Sequence, residues 1–198
     1  MGHREDLLEG AKTCLLEKGW VGTTARDIVA ASGANLASIG YHYGSKDALM
    51  MEAFLKMTEE WGEQATRRLA AARDQDAGRE RQLARVMDAM FEEFAANRPF
   101  WVAQMEVIGQ LHRNPELKER FAAVLPSGRE GVLAIFEGVD DVEVPTGATR
   151  TAGAFVHALF IGMWAQWIMD PTSAPTGAEL VEGMRRVLTG TVFDAPGK

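Results

Sequence analysis

Apolar residues recur at helical spacing along almost the whole chain, and the strict alternation that a half-buried strand requires is nearly absent. That period confines the chain to an all-α fold of about nine helices. Leu7, Leu8, Ala11 and Leu15 form one face ending at Gly19, a residue suited to a left-handed exit. Thr24 with Asp27 reads as a capping box opening a short helix that Gly33 stops. Asn35 caps a second short helix, and Ser45 a longer one with Leu49, Ala53, Met57 and Trp61 on one face. After a polar stretch at 73–79, Leu83, Met87, Met90, Phe91 and Phe94 mark a strongly amphipathic helix. Pro99 and Pro115 fit first helical turns, with Asn114 as cap of the second. The first of these helices is expected to bury Trp101, Met105, Ile108 and His112, and Pro126-Ser127-Gly128 to break or kink the other. Thr176 and Glu179 form a further capping box before the last helix.

The chain has 198 residues, of which 46% are hydrophobic, enough for a real core in one large or two small domains. Its single cysteine, Cys14, excludes a disulfide framework and a cysteine zinc site. The charged first twenty residues do not resemble a secretory leader, so a cytoplasmic protein is expected. Residues 151–169 carry no formal charge over nineteen positions, close to a membrane span in length, but Gly153, His157, Gly162 and Gln166 interrupt them. We read this segment as a subunit-interface helix, since a helix apolar all round is also what a buried one looks like.

No glycine-rich phosphate loop, nucleophile elbow or paired-carboxylate motif points to an enzyme. Four scattered histidines make no metal site, and Glu137, Asp140, Asp141 and Glu143 lack the calcium-loop pattern and read as a solvated acidic loop. No cofactor is implied.

Residues 25–43 have the dimensions of a helix-turn-helix. Ile39 and Tyr43 can pack inward, leaving Leu36, Ala37, Ser38, Gly40, Tyr41 and His42 on or beside the outward face. Small residues there let a backbone approach a groove, and Ser38, Tyr41 and His42 bring polar groups suited to phosphates or base edges. Lys46 sits at a helix N-terminus, where its charge is unfavourable unless an anion such as a DNA phosphate is near. Residues 1–60 hold six basic and nine acidic side chains, against the basic balance of an ordinary DNA-binding head. The acids Glu5, Asp6, Glu9, Glu17, Glu52, Glu59 and Glu60 lie outside the motif, so a shallow salt dependence of binding is expected.

Gly19-Trp20, Thr23-Thr24, Asp27-Ile28, Gly33, Ile39, Tyr41-His42-Tyr43, Ser45-Lys46 and Leu49 resemble, in order and spacing, the N-terminal signature of the TetR family of bacterial transcriptional regulators, over residues 4–55. The resemblance implies a DNA-binding domain at 1–47 and a ligand-binding and dimerisation domain at 48–198. It implies that Leu36, Ala37, Ser38, Tyr41 and Arg26 face bases and that Thr24, Tyr41, His42 and Lys46 hold phosphates. Asn35 and Gly40 belong to the same interface. Gly40 stands where many members place tyrosine, and Tyr43 where phenylalanine is usual. The last two long helices, about 148–169 and 177–193, would form a four-helix homodimer interface.

In the body, Met87, Phe91, Phe94, Trp101, Met105, His112, Phe121 and Trp164 are candidate lining for an apolar cavity as a set, though for any single one of them core packing is the better reading. The expectation is a repressor released from a palindromic operator by a small, largely apolar effector. The rival is a helical small-molecule carrier or interaction protein without DNA contact.

Overall fold

A computed structural model describes residues 3–71, 78–137 and 147–189. Among these residues the chain forms nine α-helices and no strand. They are α1 (His3–Gly22), α2 (Ala25–Ser32), α3 (Leu36–Tyr43), α4 (Lys46–Ala71), α5 (Arg79–Ala96), α6 (Arg98–Gln110), α7 (Pro115–Glu137), α8 (Ala152–Met169) and α9 (Gly177–Thr189). Much of the expected acidic loop, including Asp140, Asp141 and Glu143, lies outside the described residues, as does the end expected for the last helix.

The helix ends follow local chemistry. Thr24 accepts from the Asp27 N–H while the Asp27 carboxylate accepts from the Thr24 N–H and hydroxyl, closing the capping box of α2. Gly33 takes φ 68° and its N–H reaches the Val29 carbonyl. Asn35 caps α3 through the Ser38 N–H, Ser45 caps α4 through Ala48, and Asn114 caps α7 through Leu117. The Thr176–Glu179 box opens α9.

Of the break or kink expected at Pro126, the break does not occur: helix α7 continues through it. A proline there removes one backbone hydrogen bond, and residues 122–128 are all exposed, so water can take the released carbonyl. Packing divides the chain into two compact units, Met1–Gln64 with Asn97–Leu125, and Ala65–Ala96 with Pro126–Lys198. That partition follows contacts, and it does not fall at the functional boundary expected near residue 47.

In the first unit Leu7, Ala11, Leu15, Ile28, Ile39, Leu49, Phe54, Trp101, Val107 and Leu117 are buried, each large side chain contributing on the order of 1.5–3 kcal/mol. Gly10 lets α1 lie close on α2, since a Cβ there would stand 2.9 Å from that of Ser32. In the second unit Phe94 is fully buried, with ring centroids 5.6 Å from Phe160 and 6.0 Å from Trp167. The start of α9 presses on α5, where the Gly177 N–H donates to Asp88 at 2.6 Å.

The buried face of α6 is rotated from the one expected. Phe100, Trp101, Ala103 and Val107 are buried, whereas Met105, Ile108 and His112 are exposed. Phe100 and Val107, seven residues apart, share a helical face and take the core, which turns Met105 to the rim.

Candidate nucleic-acid interface

The turn between α2 and α3 is three residues long and held at both ends by caps, so α3 leaves it in a fixed direction. On this eight-residue helix the two faces separate cleanly. Ile39 is buried, and the Tyr43 hydroxyl donates to the Arg4 carbonyl at 2.6 Å, with the Arg4 guanidinium over its ring. That contact is the home for the hydroxyl that phenylalanine would lack. Asn35, Leu36, Ala37, Gly40 and Tyr41 form the exposed arc, with Tyr41 85% accessible, and a Cβ added at Gly40 would meet nothing within 4 Å. His42 is half-buried, its ring edge-on to Tyr41 at 4.8 Å.

Ser38 is a correction. It was expected to face the groove, but it is buried at 8% exposure. Its neighbour Ile39 must enter the core, and adjacent helical positions are only about 100° apart, so Ser38 goes partly with it.

On the flank, Thr24 and Arg26 are exposed. Lys46 is half-buried; its Nζ donates to the Thr23 carbonyl at 3.0 Å and lies 3.4 Å from Asp47. The protein itself thus supplies partners to a cation that the sequence alone assigned to a phosphate. Asp27, the one acid between residues 25 and 46, is engaged by the Lys18 ammonium and by Thr24. Together these hold its carboxyl well below the ordinary carboxylate range, the Lys18 hydrogen bond first. Other acids pair away from the exposed arc: Glu52 with Arg4, Glu9 and Glu60 with Lys12, Glu59 with Lys56.

The candidate lining of the body is not gathered at one place within either unit. Trp101, Met105, His112 and Phe121 belong to the first unit, Met87, Phe91, Phe94 and Trp164 to the second. Trp101 is core, Phe121 stacks on Phe54 at 5.4 Å, and Met105 and His112 are at the surface of this unit. In the second unit Met87, Phe94 and Trp164 are buried core, and Phe91 alone of the eight borders a cavity of about 50 Å³. That cavity also touches Met163, Gln166, Trp167, Asp170 and Leu180; Asp170 and Leu180 were not among the residues that the sequence offers for a ligand, because they meet the others only when the end of α8 returns past α5 to α9. Among the described residues no cluster of metal-ligating side chains occurs.

An exposed helix of mostly small residues, aimed by a capped turn and carried on an all-helical body, defines a helix-turn-helix protein. Residues 7–53 match the bacterial regulatory proteins of the tetR family, and residues 79–192 match the C-terminal domain of BetI-type transcriptional repressors. The chain belongs to the TetR family of bacterial transcriptional regulators. The HTH-type transcriptional repressor AcnR of Corynebacterium efficiens is 30% identical over 122 residues, 61% of this chain. The chain spans 57% of that relative's length. Two solved structures share the fold. The multidrug binding protein EbrR complexed with proflavin has a TM-score of 0.65 and 21% identity over 94% of this chain and 99% of its own. FadR from Bacillus subtilis in complex with stearoyl-CoA has a TM-score of 0.61 and 16% identity over 94% and 98%.

Proposed function

We propose that the chain is a cytoplasmic repressor that binds a roughly palindromic operator as a homodimer and leaves it when a small, largely apolar effector binds the body. The observation that carries this reading is the exposed arc of α3, where Leu36, Ala37, Gly40 and Tyr41 offer a low-relief surface to a major groove. Asn35, Tyr41 and His42, with Thr24, Arg26 and Lys46 beside them, are the phosphate and base contacts of the proposal, the functional head being residues 1–47 and the body 48–198. Lys46 would exchange or share its Thr23 contact with a phosphate.

The dimer is proposed through α8 and α9. Helix α8 is long and apolar enough to cross a membrane, yet only 28% of it is buried, and Phe155 and Met169 on α8 and Val187 and Leu188 on α9 are exposed. A second copy covering these faces would remove them from water. Two heads must then stand about 34 Å apart, one turn of duplex or a multiple of it. The proflavin and stearoyl-CoA bound by the two neighbours support a largely apolar effector, which must bind the two states with different affinity to move the equilibrium.

The test is duplex selection from a random pool with the full chain, followed by Tyr41→Ala. Tyr41 makes few contacts within the protein, so the variant should keep its helix content and dimer while operator affinity falls about tenfold. Selection of no duplex by the parent, or Tyr41→Ala binding as tightly as the parent, rejects the reading in favour of a carrier or interaction protein.

A further inference from the structure

The motif is also held from a helix distant in sequence. At Gly19 the backbone of α1 departs from helical geometry, with φ 72° and ψ 179°. The next N–H, that of Trp20, donates to Glu106 Oε2 on α6 at 2.7 Å. The carboxylate rests on the bare Cα of Gly19: a Cβ there would stand 2.4 Å from Oε2 and 2.6 Å from Oε1. From this turn the contacts continue into the motif. The Gly19 carbonyl accepts from the Thr23 hydroxyl at 2.6 Å, and the Thr23 carbonyl accepts from Lys46 at the start of α4. Thr23 is buried and directly precedes Thr24, the cap of α2.

Three polar contacts therefore tie α6 to the end of α1, the start of α2 and the start of α4, all within the first compact unit. The first is charge-assisted, roughly twice as strong as a neutral hydrogen bond. Its acceptor is carried by a helix that buries Trp101 and Val107 beside it, so the carboxylate cannot follow the turn freely.

We infer that Glu106 is a positioning residue for DNA binding: its carboxylate holds the Gly19–Trp20 turn, sets where α2 and α3 stand on α6, and passes a displacement of α6 to the recognition helix. The inference rests on the reading of α3 as the operator contact. A shift of about 1 Å takes a 2.7 Å contact beyond hydrogen-bonding range, so a small displacement of α6 is enough to release the turn.

The experiment compares the parent, Glu106→Ala and Glu106→Gln as full chains, reading affinity for the parent-selected duplex, thermal midpoint, and amide exchange across residues 20–43. The glutamine keeps an acceptor for the Trp20 N–H. It should bind duplex within about threefold of the parent, while alanine binds about tenfold more weakly at a thermal midpoint close to that of glutamine. Exchange across 20–43 should quicken in the alanine variant only. If alanine does not fold, Glu106→Asp, which withdraws the carboxylate by one carbon, should bind at least threefold more weakly than glutamine. Alanine binding as the parent does, or glutamine or aspartate failing this order, overturns the inference. If the parent selects no duplex, the repressor reading fails separately, and exchange alone decides: unchanged protection across 20–43 in the alanine variant overturns the latch, and faster exchange supports it.

Discussion

Gly40 lies on the outer arc of α3 with open space where a Cβ would project, and glycine costs about 1 kcal/mol relative to alanine within a helix. Gly40→Ala should therefore raise stability by up to about 1 kcal/mol, read as an increase in thermal midpoint. Gly19 predicts the opposite. Its backbone angles fall in a region that only glycine enters readily, and a methyl group would push the Glu106 carboxylate off the Trp20 N–H. Gly19→Ala should cost on the order of 1–3 kcal/mol in denaturant unfolding and weaken duplex binding as well. Asp27 gives a prediction in pH. Its folded pKa lies below its unfolded value, so the carboxylate's contribution is fully present above about pH 4 and is lost as pH falls toward the lower folded value. The deficit of Asp27→Asn in thermal midpoint should be largest near neutrality and shrink in strong acid; an equal deficit at pH 7 and pH 2 would place the effect in geometry and not in charge.

Among the helices, those whose ends are fixed by their own residues were legible in the sequence. The boxes at Thr24 and Thr176, the caps at Asn35, Ser45 and Asn114, and the exit at Gly33 all lie within a few residues of the groups they satisfy, whereas Gly19, expected to end the first helix, is a kink within α1, which runs to Gly22. Which side of a helix goes inward was less so. Ser38 on α3 and Met105 on α6 were placed by periodicity on faces that the neighbouring Ile39, Phe100 and Val107 displaced by a residue. Periodicity fixes an arc of about 100° and leaves its edges to packing. For α8 the ambiguity is complete, since an almost uniformly apolar helix states no direction. Phe155, 61% accessible, lies on the face proposed to meet a second copy. Phe155→Asp should shift the assembly toward monomer in sedimentation, with the isolated chain's helix content retained; an unchanged mass would remove α8 from the interface.

For the whole molecule the decisive quantity is charge. The chain carries a formal net charge of −7, and between residues 25 and 46 it offers Arg26 and Lys46 against Asp27. Counterion release gives a slope of about −0.9 in log affinity against log salt per neutralised phosphate, so the operator complex should have a shallow dependence. A measured slope near about −10 would mean that cations far from α3 also reach the duplex. Composition, helical period and capping residues determined the fold class and the helix-turn-helix, because each depends on interactions within a few residues along the chain, while packing set the edge of the exposed arc at Ser38. Only tertiary structure decided that Glu106 holds Trp20 across 86 positions, that Lys46 bonds Thr23 across 23, and that the candidate cavity residues divide between two units. Such contacts depend on how helices are juxtaposed, and the period of an individual helix does not encode its neighbour.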